Sequence, residues 1–197
     1  MKKIILFVLF LPIFCVAQKS KKIKLFNGKN LDGWVIYGTE KWFVEKGLLV
    51  CESGPDKEYG YLGTEKLFKD FELNLKFKPE ANGNSGVFFH SSIVGTKISG
   101  FQAEVAPPGN FSGGIYESYK RGWLIKPDAV KDNVKMGEWN TMKIKVLGNE
   151  VTTWVNGEQM IYLNDKAIGE VDGKIALQIH SGGGIKVQWK ELFLKNL

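Results

Sequence analysis

Phe71-Glu72-Leu73-Asn74-Leu75-Lys76-Phe77-Lys78 decides the fold class. Apolar side chains occupy positions 71, 73, 75 and 77, and polar ones occupy 72, 74, 76 and 78. A strict period of two puts one set on each face of an extended chain, so the segment reads as a half-buried antiparallel strand. The pattern recurs toward the C-terminus. Met142, Ile144 and Val146 alternate with Thr141, Lys143 and Lys145 after Trp139. Gly148-Asn149 then turns the chain into a strand over 150–155, and Asn156-Gly157 turns it again into 159–163. Ile175, Leu177 and Ile179 alternate within 173–179, and 185–194 carries Val187, Trp189 and Leu194.

Upstream, strands are expected at 42–45, 48–51, 61–63, 86–90 and 100–105. No stretch holds helical periodicity for more than two turns. The best helical candidate, 127–134, offers only Val130 and Val134 at a four-residue spacing. Many strands, frequent glycine turns and no crossover helices predict an all-β sandwich of antiparallel sheets rather than an α/β fold. Residues 91–135 form the longest weakly patterned region, the kind of loop that commonly builds a site at the edge of a sandwich.

Composition agrees with one packed domain. The chain has 197 residues, 44% hydrophobic and 24% charged, which argues against disorder. Its 23 Gly are not periodic and are accompanied by only 6 Pro, which excludes a collagen-like chain. Lys2 and Lys3 precede an apolar run from Ile4 to Ala17, broken only by Pro12 and too short to span a bilayer. Cys15-Val16-Ala17 sets small residues at the −3 and −1 positions of a cut before Gln18. Residues 1–17 therefore read as a secretory signal peptide and 18–197 as the mature domain, exported to the periplasm or beyond. No later stretch is apolar enough to span a membrane.

Losing Lys2 and Lys3 lowers the formal net charge from +6 to +4, too mild and dispersed for a nucleic-acid protein. Of the 2 Cys only Cys51 remains, so the domain has no internal disulfide and must be held by its core.

No phosphate-binding glycine loop, paired CxxC, HExxH or GxSxG occurs. The only histidines are His90 and His180. Four polar clusters interrupt the strand patterns. Asn82-Gly83-Asn84-Ser85-Gly86 leads into Val87-Phe88-Phe89-His90. In Gly100-Phe101-Gln102-Ala103-Glu104-Val105, Gln102 and Glu104 share a strand face. Ser112-Gly113-Gly114-Ile115-Tyr116-Glu117 is followed by Arg121-Gly122-Trp123. In Leu177-Gln178-Ile179-His180-Ser181-Gly182, Gln178 and His180 share a face opposite Ile179. Two strands each offering a same-face polar pair predict a concave polar patch that gathers Gln102, Glu104 and His180. Asn84 and Ser85 are expected to satisfy a turn. Trp34, Trp139, Trp154 and Trp189 are expected in core or sheet packing, and Cys51 in the core.

These segments, with Leu25-Phe26-Asn27-Gly28-Lys29-Asn30-Leu31-Asp32-Gly33-Trp34, Glu138-Trp139-Asn140 and Trp154-Val155-Asn156-Gly157, occur in an order and spacing that resembles the 3-keto-disaccharide hydrolase domain family over residues 25–195. The resemblance implies a concanavalin A-like β-jelly roll of two curved antiparallel sheets. It also implies export and activity on glycosides oxidised at C3. One departure is His90, where many members carry Arg after the Asn-Ser-Gly strand.

Ordinary glycoside hydrolysis uses two carboxylates flanking the bond. Here only Glu104 stands clearly in a site-like segment, with Glu117 a weak second. A ketone at C3 acidifies the C2 proton, so one base can start an elimination at C1. His180 suits that role, with Glu104 as acid, base or charge stabiliser. A divalent cation held by Glu104, Gln102 and water is one candidate stabiliser for the enolate. Gln102, Gln178, Tyr116, Arg121, Trp123 and His90 are the candidate substrate contacts, Trp123 by stacking on a sugar ring. A non-catalytic carbohydrate-binding module and a structural domain of the cell envelope remain alternative readings, since a jelly roll supports each.

Overall fold

A computed structural model describes residues 22–197. The leader reading of residues 1–17 and its cut before Gln18 lie outside the described residues. Strands follow in chain order: β1 (Lys22–Lys24), β2 (Trp34–Tyr37), β3 (Lys41–Glu45), β4 (Leu48–Glu52) and β5 (Gly60–Phe68). Next come β6 (Phe71–Ala81), β7 (Ser85–Val94), β8 (Lys97–Val105), β9 (Ile115–Ser118) and β10 (Gly122–Ile125). The last are β11 (Asn140–Leu147), β12 (Glu150–Val155), β13 (Glu158–Asn164), β14 (Gly173–Ile179) and β15 (Ile185–Asn196).

All pairings are antiparallel and make two sheets. One has the order β13-β12-β11-β6-β15-β4-β3, with β1 on the end of β15. The other runs β10-β9-β8-β7-β14-β5-β2. The expected all-β sandwich of two antiparallel sheets is what forms.

The alternating strands behave as their pattern dictates. Phe71, Leu73, Leu75 and Phe77 of β6 are buried, while residues 72, 74, 76 and 78 are only partly so. β15 pairs with β6 over most of its length and adds Val187, Trp189 and Leu194 to the same layer. Trp189 and Phe77 meet with ring centroids 6.0 Å apart. From the facing sheet come Val87, Phe89, Phe101, Ala103, Ile175, Leu177 and Ile179. Removing one such ring, as in Phe77→Ala, costs about 3–5 kcal/mol. Cys51 sits fully buried within it, and burial pushes its thiol up to about 12.

Asn156 (φ 50°) and Gly157 (φ 86°) form the left-handed pair of a tight hairpin between β12 and β13, as the Asn-Gly signal predicts. Elsewhere sequence and structure part. The candidate helix at 127–134 is only a 3₁₀ turn, Ala129–Lys131, capped by Asp128. None of its residues is buried, so it has no apolar face to hold it against the core. Among the described residues the one α-helical turn, α1 (Lys166–Gly169), is too short to leave a period. Within 91–135 the structure holds the end of β7, the β8 strand, β9 and β10. β9 and β10 have 4 residues each, too few to show alternation. β2 carries no alternation to read, because Trp34-Val35-Ile36-Tyr37 is apolar at every position.

Candidate functional site

The seven-stranded sheet gives one face to the core and the other to a cleft. Along β8, Phe101, Ala103 and Val105 face the core, which turns Gln102 and Glu104 outward. On β14, Ile175, Leu177 and Ile179 face inward, which turns Gln178 outward. Register then builds two lateral rows across the outer face. Tyr61, Gln178, Gly86 and Glu104 stand side by side on β5, β14, β7 and β8. Ala176, Phe88, Gln102, Tyr116 and Trp123 form the next row. Tyr61, Phe88, Ile98 and Ala176 pack into a small apolar cluster on this face, separate from the main core.

A cleft of about 580 Å³ opens over the polar end of these rows. It is lined by Gln102, Glu104, Gln178, Tyr116, Trp123 and His180, which the sequence had singled out. Gly86 leaves the room for Gln102: a Cβ there would lie 2.4 Å from its Nε2. The Gln102 amide therefore lies across the row. Its Nε2 donates to Glu104 Oε2 at 3.1 Å, Gln178 Oε1 at 3.2 Å and the Ser85 carbonyl at 3.3 Å.

Glu104 is 9% exposed, and among the described residues no cationic side chain pairs with it. Loss of hydration disfavours the carboxylate and pushes its pKa up to about 8, with the Val105 backbone N–H opposing weakly. At neutral pH Glu104 is a carboxylic acid, able to donate.

His180 follows β14 at the cleft wall. Its Nδ1 lies 3.0 Å from the Ser181 carbonyl, which can only accept, so Nδ1 carries the proton. Nε2 is then the lone-pair nitrogen and accepts from the Tyr59 hydroxyl at 3.1 Å. The Tyr59 ring packs against the imidazole with centroids 4.7 Å apart. The opposite wall is aromatic: Trp123 meets Phe111 and Tyr116 edge-on, each pair of centroids 5.6 Å apart.

Two expected substrate contacts lie elsewhere. His90 sits at the irregularity of β7 between Phe89 and Ser92, with φ 46°. Alternation from Phe88 would point it into the cleft, but the left-handed backbone turns it inward. It is 5% exposed, its ring edges meet Phe71 and Phe89, and Nε2 donates to the Lys69 carbonyl at 2.7 Å. His90 is thus a core histidine rather than a cleft residue. Arg121 is drawn off by carboxylates: it pairs with Glu117, and its Nη1 reaches Asp165 at 2.7 Å. It ties the β9–β10 turn to the cap of α1 and does not line the cleft.

Conversely, Tyr59, Tyr61, Asn84, Asn110, Phe111 and Tyr119 line the cleft without having been singled out for it. Asn84, expected to serve only a turn, also holds the His180 N–H through its carbonyl at 3.4 Å. Tyr61 becomes legible only through its register with Gln178; Tyr59, Asn110 and Phe111 sit outside the strands and leave no periodic signal.

A divalent cation finds a poor donor set. Gln102 presents its NH₂, not its oxygen, to Glu104 and Gln178. Among the described residues no three His, Cys, Asp or Glu side chains converge. The residues do not fit a dedicated cation site, and no step below runs through one.

The 3-keto-alpha-glucoside-1,2-lyase-like domain model matches residues 21–195. The chain belongs to that family. A Bacteroides thetaiotaomicron protein named 3-keto-disaccharide hydrolase is 29% identical over 166 residues, 71% of this chain and 57% of that protein. The chain therefore matches little more than half the length of that relative. Among solved structures, a Parabacteroides distasonis protein described as a candidate glycosyl hydrolase superposes with TM-score 0.69 at 23% identity, covering 89% of this chain and 94% of that one. A Bacillus subtilis protein with a galectin-like fold and no known function gives TM-score 0.72 at 12% identity, covering 89% and 94%. These likenesses carry the sandwich fold.

Proposed function

We propose that the domain cleaves glycosides oxidised to a ketone at C3, by elimination and rehydration. The observation that carries this reading is the pairing, in one cleft, of a histidine whose Nε2 lone pair is held only by the Tyr59 hydroxyl and a buried carboxylic acid held neutral near pH 7. Base and acid in one site is the requirement of an elimination across C1–C2. Family membership and the name of the Bacteroides relative supply the substrate class.

In the first half-reaction the Tyr59 hydroxyl gives up its bond to His180 Nε2, which takes the C2 proton. The electron pair flows toward the C3 carbonyl as an enolate, then returns to form the C1–C2 double bond. The C1–O bond breaks, and the leaving oxygen takes the Glu104 proton. In the second half, water adds its oxygen to C1 while Glu104 regains a proton from it. His180 returns its proton to C2. One water is consumed and both side chains end as they began.

Gln102 and Gln178 are the donors and acceptors for sugar hydroxyls. The Trp123, Tyr116 and Phe111 wall takes the apolar face of a ring. The reading includes export, on the leader of residues 1–17. Among the described residues, no helix is long and apolar enough to cross a membrane.

The test is incubation with a panel of 3-keto-glucosides, following release of the aglycone. Turnover is expected with the wild type. His180→Ala is expected to lower the rate by about 10²–10⁴-fold, the usual contribution of a general base. Near wild-type turnover in a folded His180→Ala protein removes His180 as the base. Sugar binding without turnover across the whole panel replaces the enzyme by a binding module.

A further inference from the structure

The outer face of the eight-stranded sheet, remote in the fold from the cleft, carries an arrangement that solvation alone does not require. Alternation turns Lys143 and Lys145 outward on β11, between buried Met142, Ile144 and Val146. The same alternation turns Lys76 and Lys78 outward on β6, and Lys186 and Lys190 outward on β15. These are interior strands of the sheet, so the lysines are not there to guard an edge. Three carboxylates neutralise part of the array: Glu191 meets Lys76 at 2.9 Å, Glu80 meets Lys78 at 2.8 Å and Glu52 meets Lys186 at 2.8 Å. Glu72 stands in register between Lys145 and Lys195 and accepts from Asn74. Among the described residues, Lys143, Lys145, Lys190 and Lys195 have no carboxylate within 4.0 Å.

Aromatic rings lie in the same face. Lys143 Nζ stands 3.7 Å above the Trp154 ring centroid, Lys190 3.9 Å above Trp139, and Lys22 4.0 Å above Phe193. Each ring is half-buried, so a ring face looks outward. A shallow groove runs between Lys22, Asn74, Lys143, Trp154 and Phe193. Trp139 and Trp154, expected in core or sheet packing, are half-buried on this face, each with a lysine ammonium over its ring.

We propose that this face docks an anionic polysaccharide, separately from the chemistry of the cleft. Sugar rings stack by their apolar faces on flat aromatic side chains, and indole offers the largest such surface. A lysine lying over the ring is a long flexible cation, weakly held at an exposed site. It can move aside to meet a carboxylate or sulfate while the ring receives the sugar. Outward lysines two residues apart along β11 repeat at roughly 7 Å, so the face offers a row of cations to a polymer rather than a single one. A nucleic-acid or neutral-glycan partner fits less well: the net charge of +4 left after residues 1–17 is too mild for the first, and the second leaves the unpaired lysines unused.

The test is affinity electrophoresis in native gels cast with polygalacturonate, dextran sulfate or neutral dextran, at low salt. Retardation by polygalacturonate or by dextran sulfate is expected, and whichever acts names the anionic group; neutral dextran should not retard. Lys143→Glu with Lys190→Glu should weaken binding by about tenfold or more. Trp154→Ala, which leaves charge unchanged, should also weaken it measurably. His180→Ala should bind as the wild type does, which separates this face from the cleft. Three results each overturn the proposal: no retardation by either polyanion, retardation unchanged in the double lysine variant, or binding indifferent to Trp154→Ala. The last result, accompanied by equal retention of duplex DNA, marks a generic polyanion surface instead. Far-ultraviolet spectra of each variant check the fold; if the double variant is misfolded, Lys143→Gln and Lys190→Gln carry the same comparison.

Discussion

Replacing Glu104 by Gln tests the electrostatics of the cleft directly. Gln has nearly the shape of a protonated Glu, and its oxygen can still accept from Gln102 Nε2. What it cannot do is ionise. The Glu104 pKa rises from 4.5 to about 8 on folding because the buried carboxylate loses hydration without gaining a cation. The native state therefore holds a proton that the unfolded chain has released between these values. Native Glu104 binds more protons than unfolded Glu104, so stability falls as pH rises through this window. The slope is about 1.4 kcal/mol per pH unit. From pH 5 to pH 7 the wild type loses roughly 2.5 kcal/mol that the variant keeps, an upper figure because water can enter the cleft on ionisation. For a domain of this size 1 kcal/mol shifts Tm by about 2–4 °C. The Tm of Glu104→Gln minus that of the wild type should widen by about 5–10 °C over those two pH units. Taking the difference cancels every other titrating group. Thermal melts at pH 5, 6 and 7 measure it. Parallel curves for the two proteins would refute the claim that Glu104 is buried as a neutral acid. The same variant should be severely slowed on a 3-keto-glucoside, since Gln has no proton to give the leaving oxygen.

Gly86→Ala places a Cβ 2.4 Å from Gln102 Nε2 and 2.8 Å from its Cδ, so Gln102 must leave its present position. A displacement of that size should lower kcat/KM by about 10–100-fold, and an unchanged value would show that Gln102 does not position the substrate. His90 is buried with Nδ1 unpartnered, and burial depresses its pKa below 6.5. The unfolded chain therefore takes up a proton that the native state refuses, and this contribution to stability is lost as pH falls below about 6.5. His90→Asn keeps the left-handed backbone and should flatten the acid side of a urea-denaturation profile; an unaltered acid side would assign it to other groups. Export predicts that secreted protein begins at Gln18 by N-terminal sequencing, and material beginning at Met1 would contradict the leader reading.

The fold class was legible residue by residue, because side-chain alternation is a local property. Phe71 to Lys78 carries its own in-or-out assignment, and so do 141–146 and 173–179; two residues fix each choice. The same local rule turned Gln102 with Glu104, and Gln178 away from Ile179, so part of the cleft wall was legible before any pairing was known. Which strands stand side by side is not local. Tyr61 joins Gln178 and Glu104 in one row only because β5, β14, β7 and β8 pair in that register across stretches far apart in sequence. Tyr59 and Phe111 come from outside the strands, where no period exists to read. Tertiary context also overrode the local rule at two positions. The left-handed backbone in the β7 irregularity rotated His90 into the core, and carboxylates from two separate segments captured Arg121. A period of two predicts the face of a residue only while the strand is regular and its side chain has no stronger partner. The neutral state of Glu104 lies beyond sequence altogether, because desolvation depends on every element packed around the carboxyl.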